Sequence, residues 1–113
     1  MKKIKLKIKM ISEFPEEKIY EGFLNDGIIS YIEESKTKVE VDLSNRKVSR
    51  DSSDKLLVVD YRREVIHLNL KEYNYDLDMP ITCIKDIHND NYFSLKYRLE
   101  DKEIEYILEY EEI

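Results

Sequence analysis

The first ten residues, "MKKIKLKIKM", alternate without a break. Ile4, Leu6, Ile8 and Met10 fall on one side of a two-residue period, and Lys3, Lys5, Lys7 and Lys9 on the other. That is the pattern of a strand with one dry face and one wet face. The same period returns at the other end in "KEIEYILEYEE", where Ile104, Tyr106, Leu108 and Tyr110 oppose Glu103, Glu105, Ile107, Glu109 and Glu111. A helix would scatter either set around its circumference, so both ends of the chain read as half-buried strands.

Between them the pattern continues in short arms. Ile19 to Leu24 and Ile28 to Glu34 flank "NDG", a hairpin signal because Asp-Gly tolerates the positive φ of tight hairpin turns. Val39, Val41 and Leu43 alternate with Lys38, Glu40 and Asp42, and "SNRK" breaks the run before Val48 and Arg50. Leu57, Val59 and Tyr61 follow "DSSD"; Ile66, Leu68 and Leu70 follow "YRR"; Phe93, Leu95, Tyr97 and Leu99 follow "HNDN". Turns recur about every ten residues, which predicts an all-β domain, an antiparallel up-and-down β-barrel of about 8–10 strands. Residues 12–18 and 82–88 are the only places where a turn of helix is expected.

The charge distribution gives that barrel a means of closing. Lysines crowd the first strand and glutamates the last, so pairing the two would set Lys3, Lys5, Lys7 and Lys9 against Glu103, Glu105, Glu109 and Glu111. Each opposed pair contributes about 0.2–1 kcal/mol, and the closure would remove exposed edges. Alternatively, the two rows keep two separate edge strands soluble.

The 113 residues suit one domain, residues 1–113, and 42% hydrophobic residues supply a core without disulfides. A net charge of −6 argues against general affinity for nucleic acid or for anionic membranes. The lysine-rich start never supplies the continuous apolar stretch of a secretory signal, and the single Cys83 has no internal partner; a reducing cytoplasm is the expected location.

"ISYIEESKTKVEVDLSNRKVSRD", followed by "FSLKYRLEDKEIEYILEYEE", resembles the uncharacterised bacterial YwiB-like family. The likeness lies in the Tyr31 and Glu33 spacing on an early strand, the alternating strand after it, Arg50 at the end of the next arm, and the Tyr97-x-Leu99 arm before the final strand. The resemblance implies a lipocalin-like (calycin) barrel and no established activity. The chain departs from the family in having Asp51 after Arg50, where a glycine is common, in lacking a Tyr-Thr-Gly hairpin, and in being shorter.

Glu33 and Glu34 are neighbours, so on a strand they point to opposite faces and cannot converge on one substrate as a glycosidase pair must. Tyr31 and Glu33 share a face, as do Val48 and Arg50. If Tyr31 and Val48 point inward, a carboxylate and a guanidinium enter the barrel together, with Tyr31 or Tyr97 able to donate a hydrogen bond. That group is either a polar anchor for a small-molecule ligand or a structural ion pair, and a Glu33 reaching water at the strand end is the third arrangement. Tyr31, Tyr61, Tyr97, Tyr106 and Tyr110 fall on the inner rows, where they either line a cavity or fill it. The candidate ligand-binding set is Tyr31, Glu33, Arg50, Tyr61, Tyr97 and Tyr106.

Other residues read as structure. Asp86, His88 and Asp90 in "KDIHNDN" are metal-ligand types, but the string has turn composition and no second cluster lies near it in sequence. His67 should face away from the core, and Cys83 reads as a small buried hydrophobe rather than a nucleophile. The chain has no Walker loop, dinucleotide fingerprint or nucleophile elbow, so no catalytic residue, metal or cofactor is assigned.

Two functions remain. The first is a cavity closed by tyrosines and anchored by Glu33 and Arg50, taking a small amphipathic or aromatic ligand. The second is a filled barrel that pairs with itself as a homodimer, or with a partner, through an open edge or the stretch Lys71 to Met79.

Overall fold

A computed structural model describes all 113 residues. The chain forms eleven antiparallel strands: β1 (Lys2–Ile11), β2 (Glu16–Asn25), β3 (Ile28–Ile32), β4 (Lys38–Asp42), β5 (Lys47–Asp51), β6 (Lys55–Asp60), β7 (Val65–Leu70), β8 (Tyr75–Pro80), β9 (Thr82–Asn89), β10 (Tyr92–Leu99) and β11 (Lys102–Glu112). They make one sheet in the order β8-β7-β6-β5-β4-β3-β2-β1-β11-β10-β9, a meander curled into a nearly closed barrel.

The turns follow from local chemistry. Asn25 pairs with Ile28 across Asp26 and Gly27, at φ of 50° and 77°. Both central residues thus have the positive φ that matches a two-residue loop to the twist of its strands. Between β4 and β5 the Asp42 carboxylate accepts from the Asn45 backbone N–H at 3.0 Å and from its Nδ2 at 2.9 Å. The turn is thereby fixed by a short polar side chain.

The alternation at the chain ends becomes the centre of the sheet. Ile4, Leu6 and Leu108 have no exposed surface, and Ile8 has 4%. These residues join Ile29, Val39, Val41, Phe93 and Leu95 in a single core of 17 side chains. β1 does pair with β11, with Lys5 opposite Glu111 and Lys7 opposite Glu109. The register places Lys9 against Ile107, and the closest ion contacts of the lysine row run to β2, Lys7 to Glu17 at 3.2 Å and Lys3 to Glu21 at 3.5 Å. Glu105 and Glu103 turn instead to Lys85 (2.6 Å) and Arg98 (3.6 Å). The lysine row therefore lies between two acidic rows.

Joining the chain ends does not remove the edges. The seam lies between β8 and β9, which are consecutive in the chain and unpaired with each other. Pro80 ends β8 without a backbone N–H, and the following Ile81 donates its own to Glu64 O at 3.1 Å, so the chain turns a corner there instead of a hairpin.

Neither expected turn of helix forms. Residues 82–88 belong to β9, and β2 begins at Glu16; the single helical turn is a 3₁₀ turn at Lys71–Tyr73. β9 lacks a clean period because Ile84 sits in a bulge between the pairs Tyr97–Cys83 and Lys96–Lys85. Its rows therefore do not separate into polar and apolar sets. No helix is long and apolar enough to cross a membrane.

Candidate functional site

A cleft of about 360 Å³ opens at the end of the barrel that holds the β1–β2 and β3–β4 turns. Nine of its thirteen lining residues are hydrophobic, among them Met10 of β1, Val48 of β5, Leu57 and Val59 of β6, Leu95 of β10 and Ile104 of β11. All occupy inward rows of their strands. Phe14, in the β1–β2 turn before Pro15, lines the mouth and is 77% exposed.

Two charged side chains meet in this apolar lining. Val48 and Tyr31 are both buried, which turns Arg50 and Glu33 toward the interior, and Arg50 Nη2 donates to Glu33 Oε1. The Arg50 and Glu33 side chains are 34% and 16% exposed, so the pair is only partly shielded from water. β3 ends at Ile32, one residue before Glu33, which lies in a turn where its N–H reaches Thr37 O at 3.0 Å and its carbonyl accepts from Lys36 at 2.8 Å. Arg50 is held within β5, between Val39 of β4 and Leu57 of β6.

The adjacent carboxylates diverge, although both lie past the end of β3 and not on a strand. Glu34 accepts from the Tyr20 hydroxyl at 3.0 Å and lies 3.7 Å from Lys18 Nζ. Backbone and Tyr20 hydrogen bonds hold the Glu34 carboxyl below the usual carboxylate range. Partial burial, with Glu34 beside it, pushes Tyr20 up to about 12. The Tyr20 ring stacks on Tyr31 with centroids 5.1 Å apart.

Behind the cleft the Tyr31 and Tyr106 hydroxyls stand 2.6 Å apart, both buried. Burial raises both phenols. Tyr97 is 8% exposed and lines the cleft; burial raises its phenol while Arg50 opposes the shift. No hydrogen bond within the protein uses its hydroxyl.

Of the six candidate residues, Glu33, Arg50, Tyr97 and Tyr106 line the cleft and Tyr31 sits one hydrogen bond behind it. Tyr61 does not line it. Its ring packs on Phe93 at 5.8 Å, and burial and Asp86 raise its phenol. Sequence reasoning did not single out Met10, Phe14, Glu16, Leu57 or Ile104 as lining. The alternating period places Met10, Leu57 and Ile104 inward, whereas Phe14 lies in a turn where no period applies.

Asp86 faces inward from β9 and meets Arg46 of the β4–β5 turn at 3.0 Å, an ion pair spanning the seam side of the barrel. His88 is exposed, and the turn expected at this string is confined to Asp90 and Asn91. No three His, Cys, Asp or Glu side chains converge as metal ligands would. His67 lies outward and exposed, its Nδ1 2.6 Å from Asp78. Cys83 is half-buried, and burial pushes its thiol up, away from the reactive thiolate.

No protein-family model and no curated protein matches the chain.

Proposed function

We propose that this protein is a non-enzymatic binding barrel of the lipocalin type that takes one small amphipathic or aromatic molecule in the cleft between Met10, Leu57, Tyr97 and Ile104. The observation that carries the reading is a largely apolar cleft whose wall holds the ion pair of Glu33 and Arg50 and, besides it, the Glu16 carboxylate. Small-molecule sites have this composition: apolar walls supply affinity, and a few polar groups fix orientation. The likeness of the Tyr31-x-Glu33 and Arg50 arms to the YwiB-like family is part of the same proposal, as is a cytoplasmic location, where Cys83 stays a thiol. The charged outer rows of β1 and β11 speak against a barrel that sits in lipid, since such barrels need an apolar outer band.

A second reading has its own observation. β8 and β9 each leave one edge unpaired, and Tyr73, Tyr75 and Leu77 beside the seam are exposed. Strand addition by a partner or a second copy would use such an edge.

Native mass spectrometry of the gently purified protein separates the two. A monomer carrying a discrete extra mass supports the cleft reading. A stoichiometric oligomer without added mass, together with no binding of amphipathic probes, overturns it in favour of assembly.

A further inference from the structure

β9 pairs with β10 on one side and with no strand on the other. Its free edge carries the backbone donors and acceptors that a further strand could use. The outer face of the barrel is mostly charged, but one apolar row crosses it to this edge. Ile107 of β11 stands opposite Ser94 of β10, and Ser94 opposite Ile87 of β9. Ser94 has no exposed surface and Ile107 is half-buried, whereas Ile87, with no strand beyond it, is 38% exposed. The rows on either side, Glu105–Lys96–Lys85 and Glu109–Tyr92–Asn89, carry charge or hydrogen-bonding groups. The apolar row thus stops at an unpaired edge.

Symmetry limits what can continue it. Two copies of one strand pair antiparallel about a two-fold axis normal to the sheet, so inner rows stay with inner rows and one residue faces its own copy. Centring on Lys85 or Asp86 opposes like charges, and centring on His88 sets Asp86 against Asp90. A centre at Asn89 runs into the turn at Asp90 and Asn91, and Ile84 sits in the bulge, which interrupts a ladder. Thr82 and Cys83 stand beside the corner at Pro80 and Ile81. Ile87 is the remaining centre. It lays isoleucine on isoleucine, faces Lys85 with Asn89 twice on the outer side, and faces Asp86 with His88 twice on the inner side. Asp86 meets Arg46 through Oδ2, which leaves Oδ1 for an imidazole. β8 offers no equivalent. A centre at Asp76, Leu77 or Asp78 opposes aspartates, one at Met79 brings in Pro80 without an N–H, and one at Tyr75 brings in Asn74, turned away at φ 46°.

We propose that this protein forms a two-fold dimer by pairing β9 with β9 of a second copy, centred on Ile87. The outer row then runs unbroken from Ile107, Ser94 and Ile87 of one copy into the same three residues of the other, and two Asp86–His88 contacts close the inner side. The proposal rests on the open-edge reading above and commits it to one edge, one register and one partner. It does not involve the cleft: Asp86 meets Arg46 at the end of the barrel that holds the β4–β5 turn, whereas the cleft opens at the end that holds the β3–β4 turn. A short pairing of this kind buries little surface, so the dimer is weak and forms with rising concentration.

Sedimentation equilibrium of the whole chain from about 1 μM to about 1 mM should show a reversible monomer–dimer equilibrium. Ile87→Asp sets two carboxylates against each other at the axis and should weaken the dimer at least tenfold, with the monomer's urea midpoint held because Ile87 is partly exposed there. Position 88 tests the register independently. His88→Lys, facing Asp86 on both sides of the axis, should tighten the dimer, and His88→Glu should weaken it at least tenfold. A chain that stays monomeric throughout overturns the dimer and leaves the cleft reading untouched. A dimer indifferent to Ile87→Asp, or one that responds alike to His88→Lys and His88→Glu, overturns this interface and register. Species that keep growing past the dimer point to head-to-tail pairing of β8 with β9 and overturn the two-fold arrangement. Absence of probe binding in the cleft, with the dimer intact, removes the binding reading alone.

Discussion

The hydroxyls of Tyr31 and Tyr106 meet 2.6 Å apart inside the barrel, joining β3 to β11 across the two strands that separate them in the sheet. One hydroxyl must donate and the other accept, so each satisfies a group that would otherwise be buried without a partner. The pair ties the wall behind Glu33 to the strand carrying Ile104. The Tyr106 ring meets Phe93 edge-on at 6.2 Å, and Phe93 in turn packs on Tyr61, so one aromatic chain runs from the cleft toward the seam side.

Replacing either tyrosine alone by phenylalanine strands the other hydroxyl. Tyr31→Phe and Tyr106→Phe should each cost about 1–3 kcal/mol in urea unfolding, and the double variant clearly less than the sum of the two. A double variant that merely adds the single losses would mean that the hydroxyls do not act as a pair.

Gly22 lies inward on β2 opposite Tyr31. A Cβ there would come within 2.3 Å of the Ser30 carbonyl oxygen and 2.8 Å of Leu6 Cδ1. The first of these contacts is backbone and cannot swing away. Gly22→Ala should therefore destabilise the protein by about 1–3 kcal/mol, read as a lowered urea midpoint. An unchanged midpoint would show that β2 and β3 approach less closely.

How far the sequence disclosed this arrangement depended on whether burial enforced a period. β1 and β11 could be read because their dry faces pack in the core over many residues, and the β2–β3 hairpin because Asp26-Gly27 names its own turn. β8 and β9 escaped for a common reason: they flank the seam, where the inner face is only partly covered. β8 alternates Tyr75, Leu77 and Met79 with Asp76 and Asp78, but the run is short and its apolar row stays largely exposed, whereas β9 sets Asp86 in its inner row and so mixes polar with apolar residues. In the cleft, the meeting of Glu33 and Arg50 followed from shared parity with Tyr31 and Val48. Tyr61 also sits inward, but parity fixes the face and not the height along the barrel, and it lies away from the cleft.

The tyrosines give a pH signature. Burial raises Tyr31, Tyr61, Tyr97 and Tyr106, while an unfolded chain titrates its phenols near about 10. The folded state then holds protons that the unfolded state has lost, so stability is complete below about pH 10 and falls as pH rises further, by up to about 1.4 kcal/mol per unit for each such group. Urea midpoints measured between pH 8 and 11 should be level at first and then decline. Spectroscopic titration should find fewer than the nine tyrosines ionising before the protein unfolds. All nine titrating together in the folded protein near 10 would contradict the buried placement.

Arg50 separates a ligand anchor from a purely structural ion pair. Arg50→Ala leaves the Glu33 carboxylate without its cation, but Glu33 stands in a turn and can reach water. Because both side chains retain some exposure, the loss should be modest, about 1–2 kcal/mol, below the 3–5 kcal/mol of a fully buried pair. Binding of an amphipathic probe that the native cleft holds should fall at least tenfold in the same variant, since the guanidinium's hydrogen bonds to the probe's polar group are lost. If stability drops by the full cost of a buried pair while probe affinity is unchanged, Arg50 braces β5 against the β3–β4 turn and takes no part in holding a ligand.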